Sequence, residues 1–176
     1  MRGSRDDADS RAPLHLVSAW AHDNHLVLGQ VAVQEKSNEI AAIPELLKLI
    51  DVAGAVVTID AMGCQKEIAA KIVEGGGDYV LALKDNHPTL ASDVAELFGA
   101  GLDNDFAGLQ HREHITHDED HGRTETRHYH PVKAPRELLD RHPEWKKLTT
   151  LGMVFRERQA GSRASAHHKS FDFKRL

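Results

Sequence analysis

Cysteine is almost missing from this sequence: Cys64 is the only one in 176 residues. A single thiol excludes an internal disulfide and any multi-cysteine zinc site. Long apolar runs are missing too. No stretch approaches the roughly 20 residues that a membrane span requires, and no apolar segment of signal-peptide type follows the N-terminus. The expectation is a soluble, cytoplasmic chain without a membrane partner. An excess of positive charge is also lacking. The formal net charge of −5 argues against a chain coated in basic residues for nucleic acid, but it is an average. Residues 101–130 hold seven acids against three arginines, whereas 155–176 hold six Lys/Arg against two acids. What is present suffices for one ordinary domain: 40% hydrophobic and 28% charged residues can build a core. The thirteen histidines are unusual and need their own account.

The first dozen residues, MRGSRDDADSRA, are polar and aperiodic and read as a loop. LHLVSAW (14–20) and HLVLGQVAV (25–33), separated by His22-Asp23-Asn24, predict a β-hairpin. EIAAIPELLKLI carries Ile40, Ile43, Leu46, Leu47 and Ile50 at helical spacing. Pro44 suits a first turn better than an interior, so this helix is expected to start there. AVVTID (55–60) and YVLALK (79–84) are short continuous apolar runs, the pattern of strands buried on both faces. Between them KEIAAKIVEGGG predicts a helix stopped by glycine, and Pro88 opens another through Leu90, Val94, Leu97 and Phe98. Strand and helix alternating with short links imply a parallel sheet with right-handed crossovers. A Gly/Asp-rich loop is expected over 99–108, then two polar strands around a turn at Asp118–Gly122, then one strand within 145–158. From Gln159 the apolar periodicity stops. No internal repeat is visible.

Asp60 is the sharpest residue. It follows a parallel-type strand and precedes Ala61-Met62-Gly63 and a helix. Sites in open α/β sheets lie beyond the carboxyl ends of the strands, where a carboxylate is placed to hold a divalent cation. The same carboxylate could instead satisfy N–H groups of the following helix. One Asp does not make a two-metal site, which needs several converging carboxylates. Lys84-Asp85-Asn86-His87 ends the second parallel strand near the same rim, where a plain capped turn is the simpler reading. Among the histidines, His111, His114, His117 and His121 suggest a metal cluster by number. On a strand, however, His114 faces away from His111 and His117, so solvated strand positions are expected. Arg123, Glu125 and Arg127 alternate along one strand face, where the arginines could hold phosphates.

LHLVSAWAHDNHLVLGQVAVQEKSNEIAAIPELL, VVTIDAMGCQKEIAAKIVEGGGDYVLALKDNHPTL, HGRTETRHYH and LGMVFRER together resemble the DDE transposases of bacterial insertion sequences, in the ISAs-type or H-repeat-associated group. The resemblance covers roughly residues 2–158. It implies an α/β fold with a ribonuclease-H-like mixed sheet, a hairpin plus parallel strands with crossover helices. It also implies three acidic residues holding two Mg²⁺ ions for attack on DNA phosphodiesters. By that resemblance Asp60 is the second acid and a metal ligand, and Lys84, Arg123 and Arg127 are candidates for DNA contact. Implied partners are DNA at transposon ends and an intact transposase or a second copy.

Relatives carry the first acid in an Ile-Asp-Gly-Lys-Thr-Leu-Arg-Gly-Ser-like strand, whereas this sequence begins Met1-Arg2-Gly3-Ser4. They carry the third acid beyond the point where this sequence changes character near Gln159, and Asp172 stands in an unrelated context. The expected organisation is a loop over 1–13, an incomplete ribonuclease-H-like domain over 14–158 and a basic tail over 159–176. In the family the first-acid strand lies between the hairpin and the strand ending at Asp60. Without it, Val56, Val57 and Ile59 are expected at an open edge. With one acid of three, the chain is expected to be inactive on its own. The alternative is a non-catalytic DNA-binding or dimerising module that modulates an intact transposase.

Overall fold

A computed structural model describes residues 15–33, 39–120, 123–160 and 163–172. The expected loop over 1–13 lies outside these. β1 (His15–Ala21) and β2 (Leu26–Val33) form an antiparallel hairpin with an irregularity at Ala19/Trp20, as the two β-rich runs predict. α1 spans Glu39–Lys48 and carries Pro44 in its interior, so the expected start at Pro44 is corrected. The correction has a simple cause. Pro44 is the sixth helical residue, so it forfeits a single main-chain bond, that to the Ile40 carbonyl, and the helix runs on through that one loss. Ala42 and Leu46 bury the inner face of α1.

β3 (Val56–Ile59) and β4 (Asp78–Leu81) pair in parallel, Val56 with Asp78 through Ile59 with Leu81. Their crossover is α2 (Lys66–Glu74), which buries Ile68, Ala69 and Ile72. Gly75 to Gly77 then return the chain tightly to β4. A Cβ on Gly77 would come within 2.8 Å of the Val52 carbonyl oxygen, a fixed backbone neighbour. α3 (Pro88–Asp103) runs five residues beyond Phe98, into the expected loop. Gly101 permits that extension, because Phe106 folds back onto it and donates its N–H to the Gly101 carbonyl at 2.7 Å.

β5 (His114–Asp120), β6 (Arg123–Lys133), β7 (Thr150–Ala160) and β8 (Arg163–Asp172) make an antiparallel sheet in that order. α4 (Arg136–Arg141) and the buried Trp145 precede β7, where one strand over 145–158 is expected. β8 lies in the segment where apolar periodicity stops. Its ladder to β7 rests on main-chain bonds, which need no apolar pattern.

The fold is mixed α/β, compatible with the incomplete ribonuclease-H-like domain expected from the sequence. Among the described residues the hairpin, the parallel pair and the antiparallel sheet are three separately hydrogen-bonded sheets. β3 is not buried on both faces as its apolar run predicts: Val56 (59% exposed) and Thr58 face outward, while Val57 and Ile59 are half-buried against the core. Of the three residues expected at an open edge, only Val56 is bare. One core joins the second and third sheets: Ile72, Leu81, Phe98 and Leu151 are each fully buried in it. Among the described residues no helix is long and apolar enough to cross a membrane.

Candidate functional site

The carboxyl ends of β3 and β4 form a rim. Asp60 directly follows β3, is exposed, and accepts backbone N–H bonds at Oδ1 from Met62 (3.1 Å) and Gly63 (3.4 Å). It therefore caps its own turn and not the first turn of α2, which begins at Lys66. A Cβ at Gly63 would come within 2.8 Å of Ile43 Cδ1 and closer still to Ile59, so both isoleucine side chains would have to shift to admit one.

The turn after β4 docks onto the same loop. Asn86 Nδ2 donates to the carbonyls of Ala61 (2.9 Å) and Cys64 (3.2 Å), and His87 Nε2 donates to Cys64 O at 2.6 Å. Both side chains thus satisfy loop carbonyls that no strand or helix reaches. The expected proximity of Asp60 to the 84–87 turn is present, carried by Ala61 and Cys64. Lys84 is exposed on this turn. Beside it opens a cleft of about 300 Å³, whose lining includes Lys66, His87, Arg141, Glu144 and Trp145. Lys66 bridges to Glu144 at 2.6 Å, and His87 meets the Trp145 ring edge-on at 5.0 Å. Arg141 and the buried His142 both bind Asp93, at 2.8 and 2.7 Å, which locks α4 onto α3.

Cys64 lies beneath the rim, 1% exposed, and burial pushes its thiol up to about 12. A buried thiol raised in this way is mostly protonated near neutral pH and is a poor nucleophile. Iodoacetamide is expected to label it slowly in the folded chain and fully after unfolding. Rapid labelling of the native protein would contradict this burial.

A two-ion centre holds its metals roughly 3.5–4 Å apart among several carboxylates. Among the described residues, three His, Cys, Asp or Glu donor atoms converge within 4.8 Å only at Glu113, His128 and His130, in the antiparallel sheet. Asp60 has no such company. The described residues by themselves do not fit the two Mg²⁺ ions that the sequence reading implies.

The arginine pair divides. Arg127 is held by ion pairs to Asp118 and Glu125, so its charge is already compensated. Arg123 starts β6 opposite Ala160, and its side chain lies outside the described atoms. Glu125 is only 9% exposed and sits among three guanidinium groups, those of Arg127, Arg156 and Arg158. The hydrogen bond from Arg158 (2.9 Å) does most to hold its carboxyl below the ordinary value, and the charges of Arg156 and Arg127 add to it.

The histidines assemble differently from the set suggested by their number. His114 and His117 sit on opposite faces of β5, beside Tyr129 and Thr126 respectively, and His121 lies outside the described residues. His111 instead meets His130 from β6, Nε2 to Nδ1, at 3.1 Å. Burial, more than any neighbour, keeps the His130 imidazole below its usual range. His128 and His130 are two apart on one strand, and this period-2 spacing was the signal available in the sequence.

Comparison with known proteins adds the family. Residues 2–152 match the model of the transposase DDE domain. Over 173 residues, 98% of this chain and 44% of the relative, the sequence is 40% identical to "Putative transposase YncI" of Escherichia coli O157:H7. It is 40% identical over 151 residues to "H repeat-associated putative transposase YhhI" of E. coli K12, covering 86% of this chain and 39% of that one. An uncharacterized protein in the dhlA 3' region of Xanthobacter autotrophicus is 40% identical over 171 residues, 97% of this chain and 56% of the relative. The chain thus spans about half the length of these relatives. No solved structure matches it.

Proposed function

Because the chain belongs to the DDE transposases of H-repeat-associated type, we propose that it represents part of a catalytic domain acting in DNA transposition. Asp60 contributes one carboxylate toward a divalent ion, and this chain alone performs no strand cleavage. The supporting observation is the position of Asp60: exposed, directly after a parallel strand, with both of its turn bonds on Oδ1. Parallel sheets present ligand sites at that edge. A lone carboxylate among waters binds Mg²⁺ weakly, because the ion gives up its water reluctantly.

Of the DNA-contact candidates, Lys84 is exposed on the same rim, whereas Arg127 is already neutralised by Asp118 and Glu125. Binding to a fluorescent DNA duplex is expected to weaken as salt rises. Lys84→Ala should reduce the slope of log affinity against log salt by about 1, while Arg127→Ala leaves it nearly unchanged. Absence of salt-dependent binding contradicts the DNA reading, and the reverse pattern of slopes transfers the contact to Arg127.

A second reading is a dimerising or non-catalytic module that modulates an intact transposase. The hairpin favours it: Trp20, Leu26, Val27 and Leu28 are each at least half exposed on β1 and β2. Sedimentation of the purified chain separates the two readings. A monomer at micromolar concentration argues against self-association.

A further inference from the structure

We propose that Glu113, His128 and His130 form a binding site for a divalent transition ion of the zinc class, with His111 as the residue that positions His130. The site is built by strand register. β5 pairs with β6 from His114–Tyr129, and the isolated bridge His111–Val132 keeps the same alignment, so Glu113 lies across from His130. Residues two apart on a strand share a face, which puts His128 beside His130. Glu113 Oε1 is 3.2 Å from His128 Nδ1 and 3.8 Å from His130 Nε2, and all three donor atoms lie within 4.8 Å of one another. A tetrahedral ion with bonds of about 2.0–2.1 Å spaces its ligands roughly 3.3 Å apart. Two edges of the triangle are near that length already, and the third needs a side-chain adjustment only.

The donor set selects the metal. Two imidazoles and one carboxylate suit zinc, cobalt or nickel, whereas magnesium and calcium prefer all-oxygen shells. This site is therefore chemically distinct from the Asp60 rim. Three protein ligands also leave a coordination position for water. To ligate through Nε2, His130 must carry its ring proton on Nδ1, and that atom lies 3.1 Å from His111 Nε2, which accepts the hydrogen bond. His111 is itself fixed by stacking on Phe106, centroids 3.8 Å apart and planes inclined by 12°. His130 continues the stack at 5.3 Å, and His128 follows it at 6.5 Å with a 7° tilt. Glu113 is 45% exposed, so an ion can enter from its side. Bound metal would fasten the start of β5 to β6.

The test is Co²⁺ titration of the full chain, followed by visible absorption and then by displacement with Zn²⁺. One equivalent of Co²⁺ is expected to give the intense bands of a four- or five-coordinate site, with a rise in melting temperature. His128→Asn should abolish the bands, and Glu113→Gln, a conservative change at a half-exposed position, should weaken binding at least tenfold. His111→Phe keeps the ring stack but removes the acceptor, and should weaken affinity by about 10–100-fold. The variant His22→Ala/His25→Ala, in the β1–β2 turn, should bind as wild type does. Should His128→Asn fail to fold, Glu113→Gln and His111→Phe still decide. The proposal is overturned if wild type binds no stoichiometric ion, if Glu113→Gln binds as tightly as wild type, or if removing His22 and His25 eliminates the signal.

Discussion

Phe98→Ala is expected to destabilise the fold by about 3–5 kcal/mol, the range for emptying a phenylalanine site in a packed core. Phe98 is 0% exposed on α3 and meets Phe106 edge-on at 6.1 Å. Its ring belongs to the one cluster that ties the α3 side of the parallel pair to β6 and β7, so neighbours on several elements lose contacts together. For a chain of this length each kcal/mol corresponds to about 2–4 °C, so the melting temperature should fall by roughly 6–20 °C. Leu102 on the same helix is 45% exposed, and its replacement by alanine should change stability by no more than about 0.5 kcal/mol. Equal losses at the two positions would show that α3 does not pack by the face described.

The second large effect concerns Glu125. Its carboxyl is held below the ordinary 4.5 chiefly by the hydrogen bond from Arg158 and then by the charges of Arg156 and Arg127, against the opposing effect of burial. A carboxyl depressed on folding contributes stability that is fully present above its unfolded value and is lost as pH falls through the folded one. Glu125→Gln removes this contribution and leaves three guanidinium groups facing one another across β6 and β7. At pH 7 the variant should melt well below wild type. The gap should narrow below pH 4.5, where wild type also loses the charge. Glu45 and Glu144 are depressed by Lys48 and Lys66 respectively, so acid weakens both proteins alike and only the difference reports Glu125. A gap independent of pH would mean that Glu125 acts through packing and not through charge.

The parallel unit was legible because its signals are local. Continuous apolar runs at 55–60 and 79–84, a glycine stop after α2 and Pro88 ahead of α3 each act within a few residues. The same locality made Asp60 visible, since strand, acid and helix follow one another in the chain. Elements set by distant partners were not visible. α3 continues through Gly99 and Gly101 because Phe106 returns to cover it, and a helix-breaking composition gives no hint of that. β8 exists through main-chain pairing to β7, with no apolar rhythm to announce it. The alternation of Arg123, Glu125 and Arg127 was readable, but not that β7 supplies two further arginines to the same carboxylate. The Glu113, His128 and His130 cluster depends on the register between β5 and β6. The number of histidines carries no information about that register.

Incubation of the purified chain with supercoiled plasmid in Mg²⁺ or Mn²⁺ reads out whether the chain cleaves DNA by itself. Two-metal phosphoryl transfer requires ions held on both the attacking and the leaving oxygen. Asp60 supplies one carboxylate, and Glu125 is occupied by three arginines in another sheet. No nicking above a metal-free control is expected, and no change on Asp60→Ala. Metal-dependent nicking that vanishes in Asp60→Ala would contradict that expectation, and would require a further acid, such as Asp85 on the neighbouring turn, to complete the site.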